Sequence, residues 1–297
     1  MKLLRAATLT VADPEVSAGL YAKWFDYRIV DEGAVDTALA HSWDAPRVAG
    51  RRFVTTAPAS GADVYVRFIA ADPVASYLPL RSHGWAAIEI CVEDVLLVNE
   101  RIRASPFEII GPPREIDGLP AIYPMQVRGP DQEIVYLTQI RDDLPAYDLP
   151  RAASLIDKLF ILVLACSDLD ASLRWFESHA RLLPGRKMDI VYTMLAQAFD
   201  LPLGDLHTIA TMIHERDVFL ELDQYPAAAT PRPTLPGCLP PGISLATFKH
   251  PEFDRLEGPW ILPPAPRSGV VYGDARSGTM RAPDGTLVEI VDASFTR

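Results

Sequence analysis

Cysteine is scarce in this chain. It has three cysteines in 297 residues, Cys91, Cys166 and Cys238, odd in number and far apart. They provide neither a disulfide framework nor the paired spacing of a zinc site, so a reducing, cytoplasmic setting is expected. Positive charge is also short. The 28 Lys and Arg face 39 Asp and Glu, a formal net charge of −11. Phosphate backbones and anionic membranes are recognised by clustered cations, so nucleic acid and membrane are excluded as main partners. No apolar run approaches the roughly 20 residues of a membrane-spanning helix. The first eleven residues open somewhat like a signal peptide, but Arg5 and the threonines break the apolar stretch, and it reads as a first strand. There is no glycine-rich phosphate loop and no nucleophile elbow. The composition is otherwise that of an ordinary globular protein, with 49% hydrophobic and 23% charged residues.

What the chain does contain is a duplication. Residues 9–21 (LTVADPEVSAGLY) match residues 164–176 (LACSDLDASLRWF), with Asp13 opposite Asp168 and Ser17 opposite Ser172. DVYVRF at 63–68 matches DVFLEL at 217–222, and RGPDQEIVYL at 128–137 matches RAPDGTLVEI at 281–290. The offset is nearly constant, which marks a repeat rather than chance similarity. The 297 residues suit two domains, predicted at 1–141 and 153–297 with a proline-bearing linker at 142–152. A second proline-rich stretch, 226–241, reads as a long surface loop.

Within each half the periodicity changes twice. Residues 3–11 alternate and are rich in Thr and Val, the pattern of a strand. Asp13 then caps a helix with Pro14 at its first position, and Val16, Leu20, Trp24 and Phe25 give it an apolar face. Strands are predicted near 28–30, 52–56 and 65–69. The cycle restarts at Gly84: a strand over 85–92, a helix from Asp94 to about Ala104, then strands near 107–110, 122–128 and 134–139. The prediction is an α+β protein of four βαβββ units.

Such paired units resemble the vicinal oxygen chelate superfamily, which includes glyoxalase I, extradiol dioxygenases and bleomycin resistance proteins. The carriers are the strand-Asp-helix openings at 8–21 and 163–176, the segment GWAAIEICVEDV at 84–95 and the ending PDGTLVEI at 283–290. The resemblance implies two glyoxalase-like domains, each a curved mixed sheet around a cavity with helices outside. In metal-using members a divalent ion sits in that cavity, held by a His, Glu, His, Glu set or a variant of it. Carried over one position at a time, these ligand positions fall on Ala6, Arg67, Ala87 and Tyr136 in the first half. In the second half they fall on Ile161 (or Phe160), Glu221, Leu245 and Glu289. Alanine cannot ligate and arginine repels a cation, so no metal is expected in the first half. Glu221 and Glu289 alone would hold Mg²⁺ or Mn²⁺ only weakly.

Two further readings apply to those acids. They face a wet cavity as inherited polar residues, paired with an arginine, or they form a general acid/base pair in which one pKa rises because two close carboxylates cannot both ionise cheaply. Strand alternation places Arg67, Glu89, Tyr65, Trp85, Tyr136 and Thr8 on the first-half cavity face as substrate-binding candidates. The competing reading is an Arg67–Glu89 ion pair bracing the sheet. His207 and His214 are seven apart on a strand, hence on opposite faces, and His41 and Trp43 fall in a loop. The expected function is therefore a glyoxalase-like enzyme without cofactor. It would move a proton on an organic acid, ketone or thioester, with Glu221 and Glu289 catalytic. The alternative is a non-catalytic small-molecule binder of the bleomycin-resistance type. Fusion of two unit pairs mimics the dimer of shorter relatives and leaves room for one further association, a homodimer.

Overall fold

A computed structural model describes residues 2–294. The first unit comprises β1 (Leu4–Val11), α1 (Pro14–Phe25), β2 (Arg28–Ala34), the short α2 (Thr37–Ser42), β3 (Arg52–Ala57) and β4 (Tyr65–Ala70). The second comprises β5 (Gly84–Val92), α3 (Val95–Ile102), β6 (Glu108–Gly111), β7 (Ile122–Arg128) and β8 (Ile134–Ile140). The third comprises β9 (Ile156–Cys166), α4 (Leu169–Ala180), β10 (Leu183–Val191), α5 (Thr193–Ala198), β11 (Leu206–His214) and β12 (Asp217–Gln224). The fourth comprises β13 (Gly242–His250), β14 (Ala265–Pro266), β15 (Arg276–Arg281) and β16 (Leu287–Asp292).

The repeated aspartate does the same work in three units. The Asp13 carboxylate accepts the Glu15 and Val16 N–H groups, that of Asp94 accepts those of Leu96 and Leu97, and that of Asp168 accepts that of Ala171. The fourth unit departs from the predicted pattern. After β13 comes Pro251, and only a 3-10 turn (Phe253–Arg255) replaces the helix.

The strands form two eight-stranded mixed sheets. The first runs β14-β15-β16-β13-β1-β4-β3-β2, the second β10-β11-β12-β9-β5-β8-β7-β6. The first unit therefore pairs with the fourth and the second with the third, through antiparallel β1/β13 and β5/β9. This corrects the expectation that residues 1–141 and 153–297 each close a cavity of their own. The linker at 142–152 joins two strands of the same sheet. The chain passes between sheets at 71–83 and 225–241, where Ser82 bridges Thr230. Periodicity tells which face of β1 is concave. It does not tell whether β5 or β13 meets its edge, because both present an equivalent antiparallel first strand.

The alternation of each strand now has a physical meaning. Leu9 and Phe68 of the first sheet and Ile88 and Ile90 of the second point into one shared core, which also takes Tyr21 and Phe25 of α1, Val98 of α3 and Phe176 of α4. The opposite, concave faces carry Thr8 and Arg67 in one sheet, Ala87 and Tyr136 in the other. A fragment ending at 141 would leave both β1 and β5 unpaired along one edge. It is expected to associate or aggregate, and size-exclusion chromatography checks this.

Candidate functional site

In the first sheet, β1 lies beside β4 with Thr8 opposite Arg67, and β13 lies beside β16 with Thr247 opposite Glu289. Arg67 and Glu289 thus sit on the outer strands of the concave floor and reach toward each other, Nη2 to Oε2, over 3.7 Å. Arg67 donates from Nε and Nη2 to Thr8 Oγ1 (3.0 and 2.9 Å) and from Nη1 to the Tyr272 hydroxyl at 2.9 Å. Glu289 accepts from the Trp43 indole N–H at 2.9 Å, from Thr247 Oγ1 at 2.8 Å and from the Tyr272 hydroxyl at 3.2 Å. The Arg67 guanidinium also lies over the Trp43 ring, 4.8 Å from its centroid. Arg67, Glu289, Trp43 and Tyr272 are all buried. The first-sheet floor is therefore filled by a buried polar network in which Arg67 and Glu289 are well partnered, while the Thr55 and Thr279 hydroxyls on the neighbouring strands have no partner. The arginine partner of Glu289 was anticipated, whereas the two aromatic lids were not. Trp43 follows the short α2, which Asp36 caps, and this helix swings the indole over the floor.

The other first-half candidates scatter. Tyr65 is only half-buried; its hydroxyl donates to Asp63 at 2.8 Å, and Arg5 stacks on its ring. Trp85 belongs to the shared core and donates its indole N–H to the Leu287 carbonyl at 2.8 Å. Glu89 and Tyr136 lie side by side in the second sheet, so the expected Arg67–Glu89 pair does not form. Glu221 is in the second sheet and Glu289 in the first, which corrects the expectation of two facing acids. The sheet pairing that sequence periodicity could not specify is the reason Glu89, Tyr136 and Glu221 part from Arg67 and Glu289.

The second sheet keeps an open cavity of about 460 Å³. Its walls include Phe160, Ile161, Met188, Met194, Ile209 and Val218. Glu89 of β5, Tyr136 of β8 and Glu221 of β12 face into it. Two positions along β12 lies Asp223, on the same face as Glu221 and within hydrogen-bonding reach of Glu221 and Tyr192. Sequence reasoning missed Asp223, although the i, i+2 spacing from Glu221 places it on the same side. It also missed Tyr192, whose hydroxyl is hydrogen-bonded to that of Tyr136. His207 stands near Tyr192, ring centroids 6.5 Å apart, while His214 packs against His250, as opposite strand faces require.

None of the three acids has a cationic partner among the described residues. Glu89 accepts one hydrogen bond, from Thr138 Oγ1 at 2.5 Å. Burial pushes its carboxyl up to about 7, only partly offset by Thr138. Burial, with help from Asp223 and Glu89, pushes Glu221 well above the usual carboxylate range. Burial also raises Asp223 to about 8, while hydrogen bonds from Glu221 and Tyr192 oppose the rise. One carboxylate near neutrality therefore adjoins two that hold protons longer, an arrangement that can both accept and donate a proton near pH 7.

A divalent ion fits neither floor. In the first sheet a guanidinium occupies the focus. In the second, no histidine stands among the acids, and no three His, Cys, Asp or Glu side chains among the described residues converge closely enough to hold an ion.

No family model and no curated protein matches this sequence. Solved structures do match. Glyoxalase I from Zea mays superposes with a TM-score of 0.64 and 18% identity, covering 99% of this chain and 93% of that one. A mutant of the same enzyme gives 0.65 at 17% identity. A putative dioxygenase from Bacillus subtilis subsp. subtilis str. 168 gives 0.63 at 13% identity, covering 98% of this chain and 86% of that one. Identities this low speak for the fold alone. Among the described residues, no helix is long and apolar enough to cross a membrane. In fold, the chain resembles glyoxalase I and the putative dioxygenase along nearly its whole length.

Proposed function

We propose that the second-sheet cavity carries out metal-independent proton transfer on an uncharged carbonyl compound, a ketone or thioester. Glu89 is the base. It takes a proton from the carbon next to the carbonyl, and the electron pair moves onto the carbonyl oxygen as an enolate. The Glu221–Asp223 pair, which shares a proton, gives it to that oxygen; when the pair takes it back, Glu89 returns a proton to the same carbon, and exchange of the Glu89 proton with solvent in between makes the balanced cycle a proton exchange at that carbon. Tyr136 and Tyr192 add hydroxyl donors alongside. The observation that carries this reading is Glu89, whose carboxyl is poised near neutrality and faces an apolar cavity with only a threonine as partner. An organic acid is a poorer substrate than the sequence suggested, because Arg67 is sealed into the other sheet and cannot orient a carboxylate here.

The test is deuterium uptake. A panel of small ketones and thioesters is incubated with the protein in D₂O and followed by proton NMR. Enzyme-dependent exchange at the carbon next to the carbonyl is expected, falling about 10²- to 10⁴-fold in Glu89→Gln. Saturable binding of a panel member with no exchange at all would replace this reading with that of a sequestering protein.

A further inference from the structure

A second cavity, of about 320 Å³, belongs to neither concave floor. It lies where the chain passes between the sheets: His83 ends the first crossing, and Arg232 and Leu235 belong to the second. Neither Arg67 and Glu289 of the first floor nor Glu89 and Glu221 of the second line it. Most of its charged groups are already engaged. Arg281 donates to Asp44 at 2.8 Å. Asp284 accepts from the Ser167 N–H at 2.9 Å and its hydroxyl at 2.6 Å, and His83 Nδ1 stands 4.0 Å from it. Arg232 is the exception. It is half-buried, with Nη1 donating to the Pro241 and Ile243 carbonyls (3.3 and 2.9 Å) and Nη2 to the Trp85 carbonyl at 2.7 Å. Its guanidinium carbon lies 5.4 Å from the centre of the Tyr77 ring. These carbonyls fix the fork but carry no net charge, and among the described residues no Asp or Glu pairs with it. Its Nε is buried and has no hydrogen-bond partner. Thr286 lines the same cavity, is 4% exposed, and its Oγ1 has no partner either. Buried donors without acceptors are costly, and each calls for an explanation.

We infer that this cavity binds a small organic carboxylate, which supplies the counter-charge that Arg232 lacks. Both orphaned groups can donate a hydrogen bond, and an ionised carboxylate only accepts. The carbonyl bonds leave the Nε–H and one Nη2 hydrogen of Arg232 unspent. Nε and Nη2 share one edge of the planar fork, the edge that matches a pair of carboxylate oxygens. The backbone already holds the guanidinium in place, so binding has little side-chain freedom left to remove. Leu235, Ile243 and Leu287 give the cavity an apolar side for the hydrocarbon body, which an inorganic oxyanion would leave unused. The volume is near the lower end for ligand pockets and suits an acid with a single ring. This site is separate from the second-sheet chemistry and stands or falls without it.

Titration calorimetry on the full chain at constant ionic strength tests this with benzoate, benzamide and inorganic phosphate. Benzoate is expected to bind at least ten-fold tighter than benzamide, which keeps the shape and loses the charge, and tighter than phosphate, which keeps the charge and loses the ring. Thr286→Val removes a buried hydroxyl that has no partner. It should melt no lower than the parent and weaken benzoate several-fold. Leu235→Glu takes the place of a change at Arg232, whose loss would strand three carbonyls. It puts a fixed carboxylate into the cavity from a half-buried position, and it should abolish benzoate binding with the fold retained. Benzamide or phosphate binding as tightly as benzoate would overturn the inference. So would the absence of benzoate binding, or benzoate binding that survives Leu235→Glu unchanged.

Discussion

Replacing Arg67 by alanine is expected to destabilise the protein by about 3–5 kcal/mol, the usual cost of breaking a buried ion pair from one side. Glu289 is fully buried and would be left with only Trp43, Thr247 and Tyr272 as donors. The stacking of the guanidinium on Trp43 would be lost as well, leaving a void beneath the indole. Chemical denaturation should show a lower midpoint with an unchanged slope. Ligand binding in the second-sheet cavity should be unaltered in whatever fraction remains folded. The informative partner is Arg67→Met with Glu289→Gln, which removes both charges at once and roughly preserves volume. It should recover much of the loss, since uncharged substitutes for a buried pair are often neutral. A large drop in ligand affinity in either variant, with the fold intact, would mean that the first-sheet network is part of the working site.

The asymmetry between the two sheets explains which parts of the sequence could be read in advance. Capping aspartates at 13, 94 and 168 and the alternation in β1 and β5 announced the units, because these are local signals: a side chain within reach of its own helix, a strand sending alternate residues to opposite faces. The duplication announced that units come in pairs. The partners within each pair were not legible. Thr8 and Arg67 were correctly placed on a shared face, but the acid that meets Arg67 is Glu289, more than 200 positions away, and not Glu89. The choice between β5 and β13 as the neighbour of β1 is made by tertiary packing of the convex faces into one core, which no local pattern encodes. Trp43 was hidden for a related reason. It sits in an irregular stretch with no period to betray its direction, and only the folded path of 35–50 brings its indole to Glu289. Asp223 is the omission that could have been avoided, since strand alternation from Glu221 places it on the cavity side.

Asp223 also provides the case where function and stability should separate most clearly. Its carboxyl, raised by burial from an ordinary 3.8 to about 8, binds its proton more tightly in the folded protein than in the unfolded chain. The same holds for Glu89, raised from 4.5 to about 7. A group whose folded pKa is raised contributes its full stabilisation below the unfolded value, and loses it as pH climbs through the folded value. Between about pH 4 and pH 8 these acids therefore make the fold progressively less stable. Asp223→Asn keeps the shape, cannot ionise, and is expected to flatten that slope. At pH 5 it should melt close to the parent, and at pH 8.5 it should melt several degrees higher, a difference on the order of 2–5 kcal/mol. Over the same range, proton exchange catalysed by the cavity should fall at least ten-fold, because the shared proton of the Glu221–Asp223 pair has lost one of its two sites. Stability held below its optimum at a cluster of unpaired acids is the signature of a site retained for its chemistry. A variant that melts at or below the parent temperature at pH 8.5, with exchange undiminished, would instead make Asp223 an ordinary buried polar residue held by Glu221 and Tyr192.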